Sequence, residues 1–432
     1  MTPLEKAKTS KTFCIYPWIH QYIGPPGDVK PCCNYLQNEQ IGSMKENTLE
    51  EIWNNDATKQ MRLDMLNGVA VSGCAICNVR QGIVHKTYRD EANDNFFTED
   101  THDIINNTLN DGTLPEHKLQ YMDARWNNLC NLKCRTCGPR FSTSWIDEHA
   151  KLYNLTKEDC LKTENVFTFS GKYEDQLFEE MEKHLPYVKR IYFAGGEPLM
   201  QKDHYKVLEK LIHLGHTGTD EKPLSIHYNT NFSQLKLGKY QAIDLWKQFK
   251  DINIHASLDA SHDKAEYWRK GTDWDIVVEN RERLIRECPN VNFKISFTLS
   301  WVNAYNMCNF YKEWIIKEYI KPDHFMINLL DVPKHYCLKS IPTWKKNKIR
   351  KEFMDLISWI DKRKGPLQPI YPVHMINKIT DAIAFMYSVD SGDEFLHKED
   401  LLKIQSKLDF IRNENFWEMF PEHVDIKEFL NV

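Results

Sequence analysis

The run Leu129-Cys130-Asn131-Leu132-Lys133-Cys134-Arg135-Thr136-Cys137-Gly138-Pro139 places three thiols on one short loop with the spacing C-x3-C-x2-C. They are too close together for three independent disulfide partners, and three are too few to close a structural zinc site. Three cysteines do suffice to hold three corners of an Fe4S4 cubane. The fourth iron is then left without a protein ligand and open to a small molecule.

Upstream lies a second set of cysteines. Phe13-Cys14-Ile15-Tyr16-Pro17-Trp18 is followed by Pro25-Pro26-Gly27-Asp28 and then by Val29-Lys30-Pro31-Cys32-Cys33. Proline followed by glycine is turn chemistry, so a small hairpin is predicted that brings Cys14 and Cys32 together. Thr48-Leu49-Glu50-Glu51 reads as a capping box that opens one helix through Ile52, Trp53, Met61, Leu63 and Leu66, ending at Asn67-Gly68. Cys74-Ala75-Ile76-Cys77 comes next. A hairpin pair plus a later C-x2-C builds a four-thiolate site, Cys14, Cys32, Cys74 and Cys77, from two separated pieces. On their own, four cysteines so spaced suit zinc, the commoner structural metal, as well as an iron–sulfur cluster. Cys33 is left over as a buried neighbour of that site. The acidic, amide-rich stretch from Asn78 to Glu116 reads as a connector with some helix, with His85 and Tyr88 at its surface.

From Leu119 to Pro333 strand-like and helix-like segments alternate, the pattern of a parallel β/α architecture. Strands are predicted at Leu119 to Arg125, Val188 to Ala194, Ser225 to Asn229, Ile252 to Leu258, Asn292 to Leu299 and His324 to Leu330. Helices are predicted at Tyr173 to His184, His204 to His213, Tyr240 to Phe249, Trp274 to Glu287 and Asn306 to Tyr319, with Ile276, Val277, Leu284 and Ile285 marking one apolar face. Reactive groups of such folds come from strand C-termini and the loops after them. There the second strand ends in Phe193-Ala194-Gly195-Gly196-Glu197-Pro198, where two glycines let the backbone approach a ligand and a carboxylate can accept from an ammonium group. The third strand closes with Asn229-Thr230-Asn231 and the fourth with Ser257-Leu258-Asp259-Ala260. Ser257 and Asp259 otherwise read as turn and helix caps, and Arg269 as a surface charge.

With these motifs in place the chain is similar to the radical S-adenosylmethionine (SAM) superfamily, whose signature is the spacing of Cys130, Cys134 and Cys137. Thr136 departs from the aromatic residue that most members carry before the third cysteine. The resemblance implies an α/β fold: a partial (β/α)6 TIM-like barrel at 116–340. The segment Cys14-x12-Gly27-x4-Cys32 is similar to the opening of SPASM and twitch auxiliary-cluster domains, and Cys74 with Cys77 would complete the ligands. That small Cys-rich domain covers 1–90, before the barrel where most relatives place it after, with a connector at 91–115 and a helical C-terminal cap at 341–432. Implied cofactors are a SAM-binding [4Fe-4S] cluster, an auxiliary [4Fe-4S] cluster for electron transfer, and SAM. The backbone around Gly195, Gly196 and Glu197 would hold the SAM amino group, Ser257 or else Asp259 the ribose, and Arg269 the methionine carboxylate. The implied activity is generation of a 5′-deoxyadenosyl radical that abstracts hydrogen from a peptide, protein or small-molecule substrate. Cys337, after the sixth strand, is a candidate for returning a hydrogen atom. A reductant such as flavodoxin or ferredoxin is the implied protein partner. The position of the auxiliary cysteines and the ending Asn431-Val432 argue against the molybdopterin-precursor cyclase branch.

Composition bounds the alternatives. The chain has 432 residues, of which 27% are charged, and a formal net charge of −5, which argues against nucleic acid because such affinity is carried by excess Lys and Arg. Met1 to Lys11 is polar and no apolar run is long enough to cross a bilayer, so a cytoplasmic protein is expected. Twelve cysteines in that compartment point to metal or redox chemistry. Cys160, Cys288 and Cys308 read as ordinary thiols, the Lys345-Lys346, Lys348, Arg350-Lys351 run as a solvated helix face, and the aromatic stretch Phe416 to Phe420 as a packed cap. The competing class is a zinc-binding barrel that serves as a scaffold without turnover.

Overall fold

The computed structural model describes residues 1–36, 38–81, 86–163, 169–363 and 372–432. In chain order the strands are β1 (His20–Ile23), β2 (Asp28–Lys30), β3 (Gly42–Ser43), β4 (Tyr121–Ala124), β5 (Lys133–Cys134), β6 (Arg190–Phe193), β7 (Ser225–Thr230), β8 (Lys236–Leu237), β9 (Tyr240–Gln241), β10 (Asp251–Ala256), β11 (Arg269–Lys270), β12 (Asn292–Leu299) and β13 (Phe325–Leu329). The six strands expected of a barrel are present as β4, β6, β7, β10, β12 and β13. The chain folds as two compact units: Met1–Asn128, Phe167–His227 and Gln248–Asp251 form the first, and Leu129–Val166, Tyr228–Lys247 and Ile252–Val432 the second.

In the first unit β6, β4 and β1 run parallel. Tyr121 stands opposite both His20 and Arg190, and Asp123 opposite both Tyr22 and Tyr192. The antiparallel β2 and β3 continue from β1. Strand alternation sorts the two faces: Ile23, Met122, Ile191 and Phe193 form a buried apolar layer, while the residues of the two registered rows carry rings and charges. The cysteine-rich segment is therefore not merely tethered; its own first strand is hydrogen-bonded to the first barrel strand.

The helix expected from Leu49 to Leu66 is two helices, Leu49–Trp53 and Asp56–Leu66, each with its own cap. Thr48 closes the capping box and the Asn55 side chain accepts from the Thr58 N–H, so Asn54-Asn55 ends one helix and starts the next. On the second, Arg62 is wholly buried and among the described residues has no carboxylate partner, its Nε on the Pro17 carbonyl at 2.9 Å and its Nη1 on Asn54 at 3.0 Å and on the Gly112 carbonyl at 3.2 Å. The connector holds the helices Tyr88–Phe96 and Glu99–Asn106 and is built into the unit. Asn93 accepts from the Ile15 N–H and donates to the Phe13 carbonyl, both at 3.0 Å, which fixes the backbone on either side of Cys14. Tyr88, expected at the surface, is half-buried and hydrogen-bonded to Tyr16. His85 lies outside the described residues.

In the second unit β10, β12 and β13 are parallel neighbours, and Phe293, Ile295, Phe297 and Leu299 alternate into the core. The helix Trp274–Glu287 has the expected bounds, but its buried side is Trp274, Val277, Asn280 and Leu284. Ile276 and Ile285 are 42% and 40% exposed because each sits one residue, about 100° of helical rotation, outside that stripe. The C-terminal segment is helical, with Thr343–Lys362, Val373–Tyr387, Lys398–Arg412 and Val424–Leu430. Its basic run is not a solvated face throughout: Lys345 and Lys346 are buried, Lys345 bound to Asp425 at 2.8 Å and Lys346 to the Val389 carbonyl at 2.8 Å. Phe416 and Phe420 pack with Trp301, Tyr267 and Trp268. No helix among the described residues is long and apolar enough to cross a membrane.

Candidate functional site

The three-cysteine loop belongs to the second unit and is held from several sides. β5 pairs antiparallel with β11, which sets Arg269 opposite Cys134. The Arg135 N–H donates to the Trp268 carbonyl at 2.9 Å. Ser144 Oγ donates to the Cys130 carbonyl at 2.6 Å and Trp145 Nε1 to the Cys134 carbonyl at 3.0 Å. Cys130 Sγ accepts from the Leu132 N–H at 3.5 Å and from Asn231 Nδ2 at 3.8 Å, and Asn231 also bonds Asn131 at 2.8 Å. The Cys134 thiol donates to Cys137, which raises the donor and lowers the acceptor; Cys130 and Arg269 also lie within electrostatic reach of Cys137. The carboxyl end of β7 thus packs against the ligand loop through Asn231, a role that sequence reading did not assign.

Arg269 is not a surface charge. Its Nη1 meets Asp259 Oδ2 at 2.6 Å, and Cys134 and Cys137 are among its electrostatic neighbours. Asp259 is a buried counter-ion rather than a helix cap: its second oxygen accepts from the Thr298 N–H at 2.7 Å and its carbonyl from Asn303 at 2.8 Å. The Ser257 N–H donates to the Thr230 carbonyl at 2.7 Å. Cys337 is buried between two short 3-10 turns, where burial raises its thiol above the ordinary value; Asp331, Lys339 and Lys346 are the charges around it.

The Gly195-Gly196-Glu197 turn lies in the first unit. Gly195 has φ +92°, and a Cβ there would meet Arg125 Cβ at 3.0 Å and the Asn127 carbonyl at 3.2 Å, so only glycine fits without displacement. The Gly196 N–H reaches the Asn127 carbonyl at 3.3 Å. Glu197 is buried and accepts from the Leu199 N–H at 3.1 Å.

The same unit gathers the upstream thiols. Burial pushes Cys14 up to about 12, with Cys74 and Cys77 adding to the rise. Cys74 is pushed up to about 11 by burial, with Cys77 contributing, and Cys32 is raised by burial and by Cys14. These four sulfurs thus sit in one electrostatic neighbourhood. Cys33, expected as a buried neighbour of the quartet, is exposed; it adds to the rise of Cys32 and has Asp123, Arg125 and Tyr88 as its own electrostatic neighbours. Among the described residues no cysteines are bridged by a disulfide, and no three His, Cys, Asp or Glu side chains converge on a single-ion site. The donor chemistry suits iron–sulfur clusters: crowded, desolvated thiols disfavour one another's thiolates until a cationic metal core is bound.

Comparison with known proteins locates two families. The radical SAM superfamily profile matches residues 126–301, and SPASM, an iron–sulfur cluster-binding domain, matches residues 14–78. The GTP 3′,8-cyclase of Campylobacter lari is 24% identical over 219 residues, 50% of this chain and 57% of that protein, so the chain spans little more than half the length of this curated relative. Partly similar solved structures include native anSMEcpe with bound AdoMet, 17% identical over 56% of this chain and 60% of the other at TM-score 0.38. Streptococcus suis SuiB bound to S-adenosylmethionine is 15% identical over 56% and 45%, at TM-score 0.32.

Proposed function

The chain belongs to the radical SAM superfamily through residues 126–301 and carries a SPASM domain at residues 14–78, and from that premise we propose that it cleaves SAM reductively to abstract hydrogen from an organic substrate. The observation that carries this reading is the packing of Cys130, Cys134 and Cys137 on one loop braced by Ser144, Trp145 and β11. When bound, the cluster and SAM supply a one-electron cleavage that furnishes a 5′-deoxyadenosyl radical.

The protein's share is alignment and exclusion of water. Cys130, Cys134 and Cys137 hold three irons. The backbone of Gly195 and Gly196, with Glu197, receives the SAM amino group; Ser257, or else Asp259, faces the ribose. Arg269, held in place by its ion pair with Asp259, offers its guanidinium to the methionine carboxylate. Cys14, Cys32, Cys74 and Cys77 close the coordination of the auxiliary cluster, which suits it to passing electrons rather than to binding substrate. Cys337 is retained as a hydrogen-atom donor to be tested by replacement with serine. We favour a peptide or protein side chain as substrate, with flavodoxin or ferredoxin as reductant and the cytoplasm as the compartment. GTP, named for the cyclase relative, is the control substrate.

Anaerobic purification should give a brown protein with roughly eight irons per chain, and the Cys130→Ala/Cys134→Ala/Cys137→Ala variant should keep about half of them. With SAM and dithionite the wild type should release 5′-deoxyadenosine and the variant none. A colourless, zinc-loaded protein decides for the scaffold class instead.

A further inference from the structure

Arg135 stands between two of the loop thiols, and its side chain is completely buried. Nη2 bonds Asp409 at 2.7 Å and Glu414 at 2.6 Å, and the guanidinium lies 3.9 Å from the Tyr267 ring centroid. Asp409 and Glu414 are only 14% and 12% exposed. They come from the end of the helix Lys398–Arg412 and the turn after it, more than 270 residues along the chain.

Each carboxylate has a further engagement, Asp409 with the helix His262–Trp268 and Glu414 with β11. Tyr267 donates to Asp409 at 2.7 Å, and Lys270 of β11 to Glu414 at 2.7 Å. Arg412 adds a third tie, donating to the Lys133 carbonyl of β5 at 2.7 Å and to Glu148 at 2.9 Å. Both strands of the β5–β11 ladder, which fixes Cys134, are thus fastened to one distant segment.

We infer that residues 409–414 form a clamp on the cysteine loop and that Asp409 and Glu414 are positioning residues for its cluster; this rests on the loop being the cluster site proposed above. The loop alone cannot set the spacing of three sulfurs, because Cys137 is exposed and is followed at once by Gly138-Pro139. A buried guanidinium shared by two carboxylates gives that geometry a single deep arrangement. Taking the carboxylates away leaves the cation uncompensated, and the loop must move to hydrate it.

The test uses the full-length reconstituted protein, comparing the wild type with Asp409→Asn/Glu414→Gln and with Asp409→Glu. Iron release to a chelator is followed together with the electron paramagnetic resonance signal of the reduced, SAM-loaded cluster. The double variant should lose the loop half of its iron at least about tenfold faster, well within the roughly 100-fold that breaking a buried charge pair from one side allows. Its auxiliary half should be retained at the wild-type rate, and the SAM-induced signal should broaden. Asp409→Glu, which keeps the charge, should stay near the wild type in both readouts. Unchanged release from the loop half overturns the inference, and so does equal loss from both halves, which marks general unfolding. A wild-type chain with auxiliary iron alone removes the functional reading itself, a result separable from either.

Discussion

Asn93 was legible only as one amide in a polar connector, yet it is the residue that fastens Cys14. Its carboxamide satisfies the backbone on both sides of that thiol, a bond pattern no aliphatic residue can copy. Asn93→Leu should therefore lower the iron held by the upstream cysteines while leaving the loop half in place, as iron assays on the otherwise wild-type chain and on the loop-cysteine variant, compared, would show. Arg62 makes a comparable point about stability: burial lowers it to about 9, and it still bridges Pro17, Asn54 and Gly112. Arg62→Met should destabilise the protein by roughly 2 kcal/mol, because buried carbonyls lose a charged donor; a denaturant midpoint equal to wild type contradicts this. The cysteines were readable because their spacing is local and their chemistry narrow. Asn93, Arg135 and Asp409 were not, since each acts on a partner about eighty or more residues away and carries no pattern of its own.

At the scale of elements, two glycines mark where the backbone comes too close for a side chain. Gly195→Ala must place a Cβ against Arg125 and Asn127 at positive φ, costing about 1–2 kcal/mol locally. Equilibrium binding should show weaker SAM affinity at unchanged iron content. Gly271, at φ +101° after β11, has the Asn131 carbonyl 3.0 Å from the site of a Cβ; Gly271→Ala should instead press on the cysteine loop and speed iron loss there. The barrel strands were legible because β-branched and aromatic runs alternate between turn signals. Helix limits were less so. The break at Asn54-Asn55 depends on a second cap that a continuous apolar pattern conceals, and the misassigned side of Trp274–Glu287 shows that exposed isoleucines can imitate a core stripe.

The whole molecule buries several histidines in the neutral form. Burial lowers His20 to about 4 and both His204 and His423 to about 3. Below the ordinary histidine value of about 6.5 the unfolded chain takes up protons that the folded chain refuses, so stability falls as pH falls from there toward 4. Each such group contributes a slope of about 1.4 kcal/mol per pH unit across that window. Thermal midpoints of the iron-free protein at neutral and mildly acidic pH should therefore drop steeply on acidification, and a flat profile counts against this. The parallel pairing of β1 with β4 has a different consequence, for anyone who would shuffle these modules between enzymes. A cut made at the apparent border near residue 90 strips a neighbour from β4 and bares its row of amides and carbonyls, an edge that solicits strands from other copies. The truncated barrel should then clump rather than stand alone, so any graft has to carry His20–Ile23 along with its recipient strand.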